Sequence, residues 1–151
     1  MQRAFHPDLF AGKCEDEKAI SAANSATANK AYQTLTHPMP RVKYLMRMLG
    51  STALEEDSGG DKTSLSPEFL MEILETRQAL EECTSEDEAE AVLAETRSSV
   101  DECLRGMDAV LSSGGAKEDV IDFAVRLRYL YRIEDEARRV LHAIEDARAK
   151  P

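Results

Sequence analysis

The stretch SPEFLMEILETRQALEEC, residues 66–83, carries the pattern from which the fold of this chain is deduced. Ser66 followed by Pro67 is typical of a helix start, because serine caps the first turn and proline fits its first position. At about 100° per residue, four side chains fall within about 60° of one another. They are Phe69, Ile73, Thr76 and Leu80. The stretch is therefore predicted to be an amphipathic helix with a single seam, ending near Cys83.

Two more long helices are predicted after this one. Ser85 with Glu88 three residues later forms a capping box for a helix that runs to about Leu111. SSGG at 112–115 is a turn, and the last helix spans roughly Lys117 to Ala149. Three long amphipathic helices joined by short turns predict an antiparallel three-helix bundle over residues 67–149.

The N-terminal part is predicted to be helical as well, so the fold class is all-α. A helix from about Glu15 to Thr36 is indicated by an apolar face at helical spacing, which consists of Ile20, Ala23, Thr27, Ala31 and Leu35. Prolines 38 and 40 stop it. A short helix, roughly Arg41 to Leu49, ends at Gly50. Residues 51–66 are polar and without periodicity, which predicts a linker between a domain at 1–50 and the bundle at 67–149.

Composition excludes several classes of function. The chain has 151 residues and a net charge of −10, which argues against binding nucleic acid through its phosphates. No apolar run approaches the ~20 residues that span a bilayer, so no membrane partner is expected. The three cysteines, Cys14, Cys83 and Cys103, are far apart and odd in number, which favours a reducing intracellular compartment.

The first bundle helix carries more apolar side chains than its seam needs. Leu70 and Leu74 are one turn apart and centre about 100° from the seam, and Met71 lies further round in the same direction. On the last helix Tyr129 points about 100° away from its own seam. An exposed patch of this kind would be a protein-binding surface. Alternatively, the seam is wide and the two leucines pack inside the bundle.

His6, Pro7 and Asp8 stand in AFHPDLF at 4–10, and a predicted helix then ends in NKAYQTLTHPMPRVKYL at 29–45. With these two features the chain start resembles a J-domain. In a J-domain, a His-Pro-Asp loop precedes a helix that ends in Ala-Tyr-x-x-Leu, and a Pro-x-x-Arg-x-x-Tyr segment follows. Residues 1–50 are therefore interpreted as a partial J-domain.

The second half extends the resemblance to the HscB-type J-protein co-chaperones of iron–sulfur cluster assembly. The segments that carry it are SPEFLMEILETRQALEE at 66–82 and VRLRYLYRIEDEA at 125–137. The resemblance implies two partners, an iron–sulfur cluster scaffold protein on the C-terminal bundle and a DnaK/HscA-class ATPase chaperone on the J-domain. It also implies the scaffold-binding residues, which are Leu70, Met71, Leu74, Glu75, Gln78 and Tyr129. The family usually has an acidic residue where Gln78 stands.

The same resemblance implies a chaperone-binding loop made of His6, Pro7 and Asp8, with Arg3 as the one cation before it. Proline restricts the backbone, so the loop would present the Asp8 carboxylate in a rigid turn to a cationic side chain of the chaperone. A J-domain has two helices before this loop, whereas only residues 1–5 precede it here. The expectation is a fragment, a misread start or a stub. If the chain is complete, scaffold binding is expected to survive and chaperone stimulation to be weak or lost.

Two other readings compete with the co-chaperone. One is a generic helical adaptor in which His-Pro-Asp is accidental. The other is an enzyme, but the sequence offers no glycine-rich loop, nucleophile–base pair or metal-spaced ligand set. The acidic run EECTSEDEAEA at 81–91 fits a solvated helix start. No enzyme activity, cofactor or metal is expected, a weak homodimer is left open, and both the mitochondrial matrix and a bacterial cytoplasm fit.

Overall fold

The computed structural model describes Gly12, residues 14–55 and residues 65–149. These residues contain five α-helices: α1 (Glu15–Thr36), α2 (Pro38–Met48), α3 (Pro67–Glu82), α4 (Glu86–Ser113) and α5 (Lys117–Ala149). The all-α prediction is confirmed, and the bounds of α1 and α5 are those expected from the sequence. The chain divides into two compact units, Met1–Leu45 and Met46–Pro151.

The first unit contains α1 and most of α2. His37 caps the end of α1 with extended backbone, φ −108° and ψ 137°, as expected for a residue before proline. The predicted start of α2 at Arg41 was wrong, because the helix begins at Pro38. Proline is tolerated in a first helical turn, where the missing N–H would have had no partner.

The face of α1 that the sequence marked as apolar is exposed. Ile20 is 61% exposed and Leu35 65%, whereas the serine next to Ile20, Ser21, is only 2% exposed. In this alanine- and serine-rich helix, apolar spacing therefore predicts the helix itself but not the side that is buried.

The second unit is a three-helix bundle, and its long-range contacts give the helix directions. Arg148 near the end of α5 lies 3.2 Å from Glu86 at the start of α4. At the other end, the Cys103 thiol donates to the Phe123 carbonyl at 3.5 Å. Because late residues of α5 meet early residues of α4, the two helices are antiparallel.

Helix α3 runs parallel to α5. Near its start, the Phe69 ring contacts the Tyr129 ring, and near its end Arg77 lies 3.7 Å from Glu136. The up-down-up order of α3, α4 and α5 is the bundle predicted from the sequence.

The predicted seams form the core of this unit. On α3, Phe69, Ile73 and Leu80 are buried, and on α5 Leu127 is fully covered. Thr96 is buried on α4, where its hydroxyl donates to the Val92 carbonyl at 2.8 Å, so this polar group is satisfied. No helix in the described ranges has the length and apolar character that crossing a membrane requires.

Local capping fixes where the bundle helices begin and end. The Ser66 hydroxyl accepts from the Phe69 N–H at 3.2 Å, and Ser85 and Glu88 form the reciprocal capping box. The Glu88 carboxylate accepts hydrogen bonds from the backbone N–H groups of Thr84 and Ser85, and these bonds, the Thr84 bond first, lower the pKa of Glu88. Gly114 ends α4 at φ 68°, a left-handed conformation that glycine adopts without strain.

The segment 51–55 is packed, although the sequence placed it in a linker over residues 51–66. Ser51, Ala53 and Leu54 are buried, and so is Leu65 on the other side of residues 56–64, which lie outside the described residues. Ala53 and Leu54 are the apolar pair that opens an otherwise polar stretch, and burying them draws the start of the stretch into the second unit.

Candidate docking surface

The three off-seam side chains of α3 are exposed. Leu70 is 41% exposed, Met71 55% and Leu74 58%, whereas the seam residues Phe69 and Ile73 are 7% and 5% exposed. The alternative of a wide seam that buries the leucines is therefore excluded. Three large apolar side chains exposed together on one helix form a candidate interaction surface.

Polar residues border this patch along α3. Glu75 and Gln78 are both exposed, and the Gln78 amide donates to the Glu82 carboxylate at 2.8 Å. Helical spacing places Met71, Glu75, Gln78 and Glu82 within about 60° of one another. The carboxylates of Glu75 and Glu82 therefore line the edge of the patch. Gln78, at the position where an acidic residue was expected, holds the Glu82 carboxylate with its amide.

Tyr129 is half-buried on α5, and α3 holds its ring. The ring meets Phe69 edge to face, with centroids 6.4 Å apart and planes at 88°. This is a favourable geometry for two aromatic quadrupoles. Since Leu70 follows Phe69 directly, the contact sets Tyr129 beside the part of α3 that carries the exposed leucines.

The Phe69 ring is also covered by an arginine. The guanidinium carbon of Arg126 lies 5.4 Å from its centroid, and Arg126 Nε lies 2.7 Å from the Asp122 carboxylate. Pairing with Asp122 keeps the charge compensated while the guanidinium stacks on the ring. Phe69 is therefore fixed by Tyr129 and Arg126 together, which sets α3 against α5.

A second arginine, Arg128, lies over the Tyr129 ring, with its guanidinium carbon 5.7 Å from the ring centroid. Sequence reasoning missed both Arg126 and Arg128. The stretch VRLRYLYR at 125–132 does alternate arginines with apolar residues. Nothing in that local pattern shows which arginine covers which ring.

A pocket of about 240 Å³ opens between α3, α4 and α5, on the side of α3 away from Leu70. Phe69 and Phe123 line it, and charged Glu72, Glu102 and Arg126 stand around it. Burial raises the pKa of the Cys103 thiol, which also lines this pocket, to about 11. Across residues 14–55 and 65–149 no group of three His, Cys, Asp or Glu side chains is arranged to hold a metal ion.

The predicted chaperone-binding residues, Arg3, His6, Pro7 and Asp8, lie outside the described residues, and their role stays a prediction. Of the residues that carried the J-domain resemblance, Tyr32 is 71% exposed on α1.

Comparison with known proteins identifies the family. The model of the HSCB C-terminal oligomerisation domain matches residues 65–138, a span that holds α3 with its exposed patch, and Tyr129. Co-chaperone protein HscB homologues of Shewanella pealeana and Cupriavidus taiwanensis are 30% and 32% identical over 97% of this chain, covering 85% and 82% of their own lengths. The chain belongs to the HscB co-chaperone family.

Solved HscB structures have the same fold as this HscB-family chain. Chaperone HscB from Vibrio cholerae superposes with a TM-score of 0.76 at 27% identity, over 95% of this chain and 83% of that one. The human co-chaperone protein HscB gives a TM-score of 0.78 at 27% identity, over 91% and 68% of the two chains. HscB proteins are co-chaperones in iron–sulfur cluster assembly and are not enzymes, so the enzyme alternative is set aside.

Proposed function

We propose that this chain binds the iron–sulfur cluster scaffold protein and delivers it to a DnaK/HscA-class ATPase chaperone, whose ATPase it stimulates. The proposed contact with the scaffold is the docking surface, defined as Leu70, Met71, Leu74, Glu75, Gln78 and Tyr129. The observation that carries this proposal is the exposure of three adjacent large apolar side chains on α3, inside the segment matched by the HSCB model.

The exposed area accounts for a reversible contact. Leu70 and Leu74 expose 41% and 58%, so together they hold about the free area of one leucine side chain. Burying that area in an interface would stabilise a complex by ~1.5–3 kcal/mol. Met71 and the free edge of Tyr129 add to this contribution. A partner held mainly by a few such side chains is bound tightly enough for recognition and loosely enough for transfer.

The carboxylates at the edge of the surface favour a scaffold that presents cations there. Glu75 and Glu82 flank Gln78, whose amide is engaged with Glu82. Exposed charge pairs contribute little to affinity, but they orient the encounter and raise its rate. The apolar side chains would therefore provide most of the affinity, while the acidic edge sets the orientation.

The binding test is calorimetric titration of the chain with an iron–sulfur scaffold protein, beside Leu70→Ala/Leu74→Ala. The double variant should bind about 10- to 150-fold more weakly, which corresponds to losing ~1.5–3 kcal/mol. Leu111→Ala is the matched control, because Leu111 is 40% exposed on α4, outside the docking surface. It should bind like the unchanged chain, and far-UV circular dichroism should show equal helicity for all three. Absence of binding by the unchanged chain, or equal binding by the double variant, would refute the proposal.

The delivery step is proposed to use the His6-Pro7-Asp8 loop, which family membership supports. Asp8→Ala should lower the ATPase rate of the chaperone in the presence of scaffold and leave scaffold affinity unchanged. The ATPase assay on the unchanged chain, with and without the scaffold, also tests the expectation of weak or lost stimulation, which full stimulation would contradict. An ATPase rate that responds equally to the unchanged chain and to Asp8→Ala would favour the generic adaptor.

Compartment and self-association belong to the same proposal. Relatives from bacteria and human fit both the bacterial cytoplasm and the mitochondrial matrix. The matching model is described as an oligomerisation domain, which supports a weak homodimer through the bundle. Sedimentation velocity over a range of concentrations would detect such a dimer as a concentration-dependent increase in sedimentation coefficient.

A further inference from the structure

Arg128 joins two parts of the second unit that are far apart in sequence. It stands on α5 between Leu127, which is fully buried, and Tyr129 of the docking surface. Its Nη1 donates to the carbonyl of Ala53 at 3.1 Å, and its guanidinium carbon lies 5.7 Å from the Tyr129 ring centroid. One side chain therefore contacts both the proposed scaffold site and the turn that follows α2.

The turn after α2 gives Arg128 a fixed anchor. The Ser51 N–H donates to the Met46 carbonyl at 2.9 Å, and the Ser51 hydroxyl accepts from the Ala53 N–H at 3.3 Å. Ala53 is 2% exposed. A backbone carbonyl held in this way has little freedom, so the guanidinium that donates to it is fixed as well.

Arg128 is placed there at an energetic cost. Its Nε is buried and has no hydrogen-bond acceptor among the residues that the structure describes. An unsatisfied buried N–H is destabilising, and an apolar side chain of similar length would avoid the cost. What an apolar side chain lacks is the combination of a donor for the Ala53 carbonyl and a cation for the face of the Tyr129 ring.

We propose that Arg128 is a positioning residue that holds the Tyr129 ring in its binding orientation and couples the docking surface to the turn at 51–55. The inference rests on the function proposed above. A scaffold that binds the positioned ring strengthens the link to Ala53, and by linkage a stable turn strengthens scaffold binding to the same extent.

Arg126 supplies a matched control for this inference. It is two residues from Arg128 on α5 and also stacks on an aromatic ring, but that ring is Phe69 and its charge is paired with Asp122. Arg126→Met removes a cation–π contact from the same region while leaving the Arg128–Ala53 link intact.

The test combines affinity with hydrogen exchange. Arg128→Met should weaken scaffold binding about five-fold, the loss expected for one cation–π contact at a partly buried ring. In a Tyr129→Ala background the same change should cause no further loss, because Arg128 acts through that ring. In the free chain, Arg128→Met should speed amide exchange at Ala53, and scaffold should slow this exchange only where Arg128 is present. Arg126→Met should leave the Ala53 exchange unchanged.

The outcomes separate this inference from the proposed function. If the unchanged chain does not bind scaffold, the proposed function fails. The amide exchange rate at Ala53 in the free chain then still shows whether Arg128 stabilises the turn at 51–55. Unchanged Ala53 exchange in Arg128→Met, or an equal affinity loss with and without Tyr129, would overturn the inference alone. Should Arg128→Met fold poorly, Arg128→Lys keeps the charge, but its single ammonium group cannot both donate to the Ala53 carbonyl and lie over the Tyr129 ring as the guanidinium does. Arg128→Lys should therefore lose one of the two contacts and bind scaffold more weakly than the unchanged chain, and equal binding would overturn the inference.

Discussion

The buried carboxylate of Glu134 offers a stringent test of how α4 and α5 are held together. Its side chain is 7% exposed and lies between two guanidinium groups. Arg97 Nε on α4 is 3.0 Å away, and Arg138 Nη2 on α5 is 2.6 Å away. Both arginines are about half exposed, at 54% and 45%, so only the carboxylate is taken out of water.

Removing the two arginines should destabilise the chain by more than the sum of the single losses. Arg97→Met or Arg138→Met alone leaves one guanidinium on the carboxylate, and each should lower the free energy of unfolding by ~0.5–1.5 kcal/mol. The double variant leaves a buried carboxylate without a cation, for which a loss of ~3–5 kcal/mol is expected. The single losses sum to ~1–3 kcal/mol, so the excess over additivity is about 2 kcal/mol at the middle of these ranges.

The assay is urea unfolding of the unchanged chain, the two single variants and the double variant at neutral pH, followed by circular dichroism. Adding Glu134→Leu to the double variant should restore most of the lost stability, because an apolar side chain has no charge to compensate. Additive losses within ~0.5 kcal/mol, or no recovery on adding Glu134→Leu, would show that the carboxylate is not the common centre of these contacts.

Three further predictions concern single sites. Alkylation of the folded chain, followed by mass spectrometry, should modify exposed Cys14 well before Cys103, because burial raises the Cys103 pKa to about 11; similar rates would contradict this. Glu88→Gln should remove a pH-dependent part of the stability. Because the pKa of Glu88 is lowered in the folded chain, its carboxylate stabilises the fold at pH values above 4.5, and this contribution is lost as the pH falls through the lower folded pKa. Urea unfolding near neutral pH and at about pH 3 should therefore show a smaller decline in the free energy of unfolding for the variant than for the unchanged chain. Gly106→Ala should lower the free energy of unfolding by up to ~2 kcal/mol, because a Cβ there would lie 2.6 Å from Phe123 Cζ. This value is an overpacking cost of ~1–3 kcal/mol less a helix-propensity gain of ~1 kcal/mol. A variant more stable than the unchanged chain would contradict the prediction.

In the bundle, helix bounds and exposed faces were predictable because their causes are local. Ser66 and the Ser85–Glu88 pair act on N–H groups within four residues, so the caps are visible in the sequence. The off-seam position of Leu70 and Leu74 follows from the angle between successive helical residues, and their exposure confirms it. The start of α2 was predicted too late because prolines were treated only as breakers, although a first turn accepts them.

The sequence by itself determined the bundle helices, their seams and the apolar patch of α3, because capping and helical periodicity depend on neighbours within a few residues. Only the tertiary structure decided that Arg128 reaches Ala53, 75 residues away, and that the segment 51–55 is packed. It also decided that Glu134, one charge in the run RIEDEARR, is the buried one. These features depend on which helix surfaces meet and on how far the helices are shifted along their axes relative to one another. That is set by packing between distant segments, which leaves no periodic trace in either segment.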